Sequence, residues 1–295
     1  MAIFYLIASK LRVVEETIEN NFKPINIKEL FVKKNPGLAR IMPGFIFRYI
    51  RNLLHIDFFN DFIVRNGHKK GIAFVDQAVT EFNVKEHIYG LENIPEPGRF
   101  IFASNHPLGG FDSLLLMKYV SKKLGKLKFL SNDVLMGIPS LSYMFIPVNK
   151  HGTNSREVSH ALEKAYDSDE QILIFPSGLA SRRIKGKIMD LMWKKHFITK
   201  AIKHQRDVIP VFIGGHNTNR FYRIANLRKF FRLKWNIEMF LLPDELMRHK
   251  NSDIPVYFGK PIPFETFDKS KTHLEWAEWV KHEVYKLPAQ FETKN

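Results

Sequence analysis

The chain of 295 residues contains no cysteine. Disulfide frameworks, cysteine zinc sites and cysteine nucleophiles are therefore excluded. The absence is compatible with a reducing compartment without demonstrating one. No stretch reaches the roughly 18 to 20 apolar residues that a spanning helix needs, so any membrane contact is expected to be peripheral. The opening segment MAIFYLIASKLRVVEETIEN has no basic region ahead of its short apolar stretch, and acids follow soon after. No signal peptide is expected from it. Internal repeats and low-complexity tracts are missing as well. So are several chemical signatures: the GxSxG elbow of serine hydrolases, the GxxxxGK[ST] phosphate loop, a GxGxxG after a strand, and HExxH. The 12 histidines show no metal-ligand spacing, and no metal or cofactor is expected.

What the chain does have is positive charge. Lys and Arg number 45 against 30 Asp and Glu, a net charge of +15. Such a protein is drawn to anionic surfaces: nucleic acid, an anionic bilayer leaflet or an acidic carrier protein. Charge alone does not choose among them, but no nucleic-acid reading motif is present, so no nucleic-acid partner is expected. Hydrophobic residues make up 45%, enough for one large domain with or without a helical extension.

The pattern changes near residues 83–98. Before it the chain reads as helical and aromatic. The stretch Ile41–Val64 carries Phe45, Phe47, Tyr49, Phe58, Phe59 and Phe62 interleaved with Arg48 and Arg51, and Arg65 follows. Read as one helix after the Pro43-Gly44 break, it suits a bilayer interface or packing on the rest of the protein through its phenylalanines. From about Val84 the chain reads strand, loop, helix in repetition. Strands are expected at Arg99–Ser104, Tyr143–Val148, Gln171–Pro176 and Asp207–Gly215. Helices are expected at Asp112–Leu124, Asn154–Tyr166, Asp190–Gln205 and Thr272–Leu287. Asp112 or Ser113 is placed near one helix N-cap, and Asn154 or Ser155 at another. Pro255–Ile262 reads as a late edge strand because of its prolines. The alternation predicts an α/β fold with a largely parallel or mixed sheet flanked by helices. An N-terminal helical membrane-docking extension is expected at 1–83, a catalytic domain at 84–265 and a closing helical segment at 266–295.

In such sheets sites form at the carboxyl ends of strands. Three polar, glycine-containing loops follow apolar strands: NHPLGGFDS, SGLASRR and GGHNTNRFYR. In the first, His106 can act as a general base, with Asp112 fixing its tautomer and stabilising the imidazolium. No serine or cysteine partner sits at the right spacing, which suggests direct attack by the substrate's own hydroxyl or amine. Gly109 and Gly110 let the backbone come close to a substrate. On spacing alone, His106 as a strand cap and Asp112 as a helix cap are equally open.

The sequence resembles the lysophospholipid/glycerophosphate acyltransferase superfamily. Its NHxxxxD motif is similar to Asn105, His106 and Asp112, with one extra residue between His and Asp. Its second motif resembles Phe145–Lys150. Its third, FPEGTRS, resembles FPSGLASRR at Phe175–Arg183, and its fourth resembles Val208–Gly215. All four stand in family order across roughly Ile88–Pro263. The variant set looks like the hemolysin-like branch, which includes bacterial enzymes that make ornithine- and glycine-type aminolipids. Serine at position 177, where the pattern has glutamate, argues against a glycerol-3-phosphate-type acceptor.

The resemblance implies transfer of a fatty acyl group from acyl-CoA or acyl-carrier protein to a lyso-lipid or aminolipid acceptor, on the cytoplasmic side of an anionic membrane surface. It places Asn105, Gly109, Gly110, Ser177 and Gly178 around the substrate. Arg182, Arg183 and Lys150 then bind a phosphate or carboxylate, and Asn217 and Arg220 add polar contacts. A non-catalytic lipid-binding protein on the same fold is the competing reading. It would need the basic, aromatic N-terminal region but neither His106 nor Asp112.

Overall fold

A computed structural model describes residues 24–34, 36–131, 140–147, 156–233 and 236–292. The opening segment, Val148, Lys150 and the cap expected at Asn154 or Ser155 lie outside the described residues.

Among the described residues five helices precede the first strand: α1 (Ile27–Lys34), α2 (Pro36–Ile41), α3 (Gly44–Leu53), α4 (Ile56–Asn66) and α5 (Ile72–Phe82). The aromatic stretch is therefore two helices where one was expected. The chain reverses at His55, which takes a left-handed conformation with φ 47°. That turn brings the His55 Nε2 to 2.9 Å from Asp244 Oδ1. Phe47, Leu54 and Ile56 bury against Ile27 and Phe31. Phe45 and Tyr49, on the opposite side of α3, stay exposed. Among the described residues no helix is long and apolar enough to cross a membrane.

The centre of the molecule is a seven-stranded mixed sheet. Its strands are β1 (Lys85–Tyr89), β2 (Phe100–Ser104), β3 (Leu127–Ser131), β4 (Phe145–Pro147), β5 (Gln171–Ile174), β8 (Asp207–Ile213) and β9 (Asp253–Phe258). A separate hairpin holds β6 (Arg182–Ile184) and β7 (Lys187–Met189). The order across the sheet is β1-β9-β8-β2-β5-β3-β4. Neighbours run parallel except β8 and β9.

Both faces of the sheet are covered, which is why its central strands read as unbroken apolar runs. Along β2 the side chains alternate: Phe100 and Phe102 enter one core, Ile101 and Ala103 the other. The first core receives Phe74, Val75, Ala78, Val79 and Phe82 from α5, and Phe111, Leu115 and Val120 from α6 (Phe111–Leu124). The second receives Leu162 and Tyr166 from α7 (Arg156–Asp167). It also takes Phe197 and Ala201 from α8 (His196–His204), and Trp276, Val280 and Val284 at the far end of the chain.

The expected edge strand is an interior one, since β9 lies between β1 and β8. Its proline is tolerated because Pro255 sits where the β8 ladder has ended. The last pair is Ile213 with Val256, and the Pro255 carbonyl accepts from Gly214 N–H at 2.8 Å. No donor is needed there. The remaining helices are α9 (Asn219–Phe230), α10 (Leu242–Arg248) and α11 (His273–Glu292).

Phe102, with no exposed surface at the middle of the sheet, reports on this packing. Phe102→Ala is expected to cost about 3–5 kcal/mol, read as a lowered urea midpoint at unchanged slope.

Candidate active site

The three glycine-containing loops leave β2, β5 and β8, which are consecutive across the sheet, so all three open at one end of it. Asn105 fastens the first to the third. Its amide nitrogen donates to the Ile213 carbonyl at 2.9 Å, and its oxygen accepts from Ile213 N–H at 2.7 Å. The side chain is buried, and both its nitrogen and its oxygen are engaged in this clamp. It ties the residue before His106 to the end of β8.

His106 Nδ1 donates to Asp112 Oδ2 at 2.8 Å. The same oxygen accepts from Leu108 N–H at 3.0 Å and Gly109 N–H at 3.2 Å, while Oδ1 accepts from Ser113 N–H at 3.0 Å. Asp112 is wholly buried and is the second residue of α6, with Gly110 at the cap. It is therefore neither a surface residue nor the helix N-cap. A carboxylate in the first turn is also favoured by the helix dipole. Between His106 and Asp112 the loop turns at Gly109, which has φ 74°. A Cβ on Gly109 would stand 2.5 Å from Leu242 Cδ2, which would have to shift, and the left-handed φ favours glycine there. Gly110 has open space around it.

The His106 ring stacks on Phe175, with centroids 4.0 Å apart at 15°, and Phe175 in turn meets Phe129 edge-on. With Nδ1 donating to an acceptor-only carboxylate, Nε2 carries the lone pair. Among the described residues Nε2 has no hydrogen-bond partner, and the side chain is 16% exposed. The arrangement is a half-open imidazole, fixed in plane and tautomer, beside a buried carboxylate.

The third-motif loop turns at Ser177 and Gly178. Ser177 Oγ donates to the Leu179 carbonyl at 2.8 Å, and Gly178 takes φ 67°. Four residues after Gly178 the chain enters the β6–β7 hairpin, which the sequence reading did not find. Its two turn residues, Lys185 and Gly186, both have positive φ, the signature of a two-residue hairpin turn. The hairpin's alternation separates the two arginines. Arg182 points inward, bonding Glu238 Oε1 at 2.8 Å and the Ala180 carbonyl at 2.6 Å, with its guanidinium over the Phe221 ring. Burial lowers its pKa against the pull of Glu238. It is a structural ion pair, not an anion-binding group. Arg183 points outward, held by Asn219 Oδ1 at 2.7 Å and stacked on Tyr222 at 5.1 Å.

Asn217 is buried, and neither atom of its amide has a partner among the described residues. Its backbone N–H donates to Tyr222 OH at 3.1 Å. Arg220 is 44% exposed and stands 3.7 Å from Asp244.

Asp190 was missed altogether. It was read as the start of a helix reaching Gln205, but the helix begins at His196. The backbone N–H groups before it are spent elsewhere: Asp190 on Tyr285 OH at 2.8 Å, Trp193 on Glu278 at 2.5 Å and Lys194 on the Pro176 carbonyl at 3.1 Å. The buried Asp190 carboxyl accepts from His106 N–H at 3.2 Å, Ser181 Oγ at 2.6 Å and Trp193 Nε1 at 2.9 Å. Burial pushes its pKa up, opposed by those donors. It ties the first loop to the third motif and, through Tyr285, to α11. Apolar spacing at Trp193 and Phe197 hid it, and an acid three residues before a tryptophan was the only local signal.

A family model described as an acyltransferase matches residues 29–293. The lyso-glycine lipid O-acyltransferase of Bacteroides thetaiotaomicron is 40% identical over 264 residues, covering 89% of this chain and 97% of that protein. The protein of the same name from Phocaeicola vulgatus is also 40% identical over 264 residues, covering 89% of this chain and 95% of its own. The crystal structure of the 1-acyl-sn-glycerophosphate acyltransferase from Thermotoga maritima covers 97% of this chain and 96% of that chain, at 18% identity and a TM-score of 0.47.

Removing Asp190 would leave three buried donors unpaired at about 1–3 kcal/mol each. Asp190→Ala is expected to destabilise the protein by about 3 kcal/mol or more in chemical denaturation. A variant as stable as the parent would remove Asp190 from the role of tie.

Proposed function

The chain belongs to the acyltransferase family, and we propose that it transfers a fatty acyl group to the hydroxyl of a lyso-lipid bearing a carboxylate headgroup. The observation that carries this reading is the His106 Nδ1–Asp112 Oδ2 bond of 2.8 Å, which in the neutral imidazole makes Nε2 the lone-pair nitrogen. The acceptor hydroxyl gives its proton to Nε2 as its oxygen attacks the thioester carbonyl carbon. An ester C–O bond forms, the C–S bond breaks, and the imidazolium returns the proton to the departing thiolate. Asp112 stabilises the imidazolium in between. The acceptor supplies the nucleophile and the thiol is the leaving group, so no metal or cofactor enters the step.

Acyl-CoA or acyl-carrier protein is the donor. Both are anionic and suit a chain of net charge +15. For the acceptor, the names of the two bacterial relatives and the fork of Arg183 support a headgroup that ends in a carboxylate, as glycine does. Asn219 and Tyr222 hold the Arg183 guanidinium in one orientation, which suits bidentate capture of a planar anion. A one-chain amphiphile of this kind resides in a bilayer, and the net charge of +15 supports a peripheral enzyme on the anionic cytoplasmic leaflet, in membrane lipid biosynthesis.

Purified protein supplied with a lyso-glycine lipid and either donor is expected to yield a diacylated product by mass spectrometry. His106→Ala is expected to lower turnover by about 10²–10⁴-fold; undiminished turnover would remove the base. Arg183→Ala is expected to raise KM for the carboxylate acceptor by about tenfold with little change in kcat, the loss of one charge-assisted contact. A uniform effect on an acceptor lacking the carboxylate would count against that assignment.

A further inference from the structure

The carboxyl end of α9 is built unlike a helix end that faces water. Phe221, Tyr222 and Ala225 bury one side of the helix. Beyond them Leu227 is 57% exposed, Phe230 78%, Phe231 61% and Leu233 48%. Four large apolar side chains thus stand bare within seven consecutive residues. The charges among them have a single sign. Arg223, Lys229 and Arg232 are exposed, and no Asp or Glu occurs from Asn219 to Leu233. The next acid along the chain, Glu238, is wholly buried against Arg182 and Arg228.

We propose that this end of α9 inserts into an anionic bilayer: Leu227, Phe230, Phe231 and Leu233 enter the boundary between headgroups and acyl chains, and Arg223, Lys229 and Arg232 engage the headgroup phosphates. The proposal rests on the reading above, in which the acceptor resides in a membrane. Apolar side chains flanked by cations are what an interfacial helix requires, and each cation near an anionic leaflet adds about 1 kcal/mol. An acidic carrier protein would match the cations but leave the adjacent phenylalanines without a counterpart.

The other end of α9 is fastened to the site. Thr218, its N-cap, bonds Glu245 through both its N–H, at 2.6 Å, and its hydroxyl, at 2.5 Å, and Asn219 holds Arg183. Twelve residues of helix span about 18 Å, so α9 is a rigid post between the headgroup-reading arginine and the membrane. Beside it, Leu53 of α3 packs on the same cluster as Ile224 of α9. Tyr49 and Phe45, one and two turns earlier on that face of α3, are 58% and 70% exposed.

The test is co-sedimentation of the full chain with vesicles of phosphatidylglycerol and phosphatidylcholine, and with phosphatidylcholine alone. Wild type is expected to bind the anionic vesicles more tightly. The double variant Phe230→Ser/Phe231→Ser and the charge-reversed Lys229→Glu/Arg232→Glu are each expected to weaken that binding by about tenfold or more. Both should keep wild-type turnover on a short-chain, water-soluble lyso-lipid, which shows that they are folded. Unchanged vesicle binding by the two double variants overturns the proposal. So does a defect seen only with acyl-carrier protein as donor, which would make the surface a carrier-docking site. Failure of the acyl-transfer reading is separable, because it would appear as no diacylated product from the wild type with either donor, whatever the vesicle result.

Discussion

The Asp112 carboxylate is buried without residual exposure, and a buried charge lacking partners costs many kcal/mol. Its four donors are the His106 ring and the backbone N–H groups of Leu108, Gly109 and Ser113. They converge only if the chain leaves β2, turns through a left-handed residue at Gly109 and starts a helix at Phe111. The loop path, the helix start and the orientation of the imidazole are one solution to one electrostatic problem. Because the ring is also pressed against Phe175, Nε2 has a defined direction before any substrate arrives. Such preorganisation is the larger part of what a site of this kind contributes.

The loop is held from behind as firmly as from within. Asn105 joins it to the end of β8, and Asp190 joins it to Ser181 and, through Tyr285, to α11. Three sequence-distant segments therefore meet at His106 through buried polar groups whose bonds are satisfied. Buried networks of this kind specify geometry more than they add stability. Here they fix the end of the sheet at which the chemistry is proposed.

The positive charge of the chain is divided among different tasks. Arg182 is consumed in the interior by Glu238, and Arg206 is buried against the carbonyls of Tyr166 and Glu170. Arg183 is presented to solvent in a fixed fork, and the cations of α9 surround bare aromatics. Counting arginines in the sequence cannot make this division. Neighbours in a β-hairpin point to opposite sides, so Arg182 and Arg183 have opposite fates although they are adjacent.

Much was legible from the residues. Strands β2, β5 and β8 showed as short apolar runs because both faces of the sheet are covered, and each polar loop after them fell at the same end of the sheet. The His–Asp pair was legible too, as was the α/β class. What was misread depended on partners far away in sequence. Residues 190–195 carry helix-like apolar spacing, yet tertiary bonds to Tyr285, Glu278 and Pro176 take up backbone N–H groups there, and the helix starts only at His196. Residues 255–262 carry prolines that suggest an edge, yet Pro255 lies where a neighbouring strand has stopped. Asn105 has a clamping role, to Ile213 on another strand, that its own loop does not announce. By itself, the sequence determined the alternation of strands and helices, the three loops and the chemical pair, because these follow from local periodicity and from residue type. Only the tertiary structure decided which polar side chains are spent inside and which face outward. That depends on strand order, hairpin register and the pairing of buried donors across the chain, none of which is a property of any one segment.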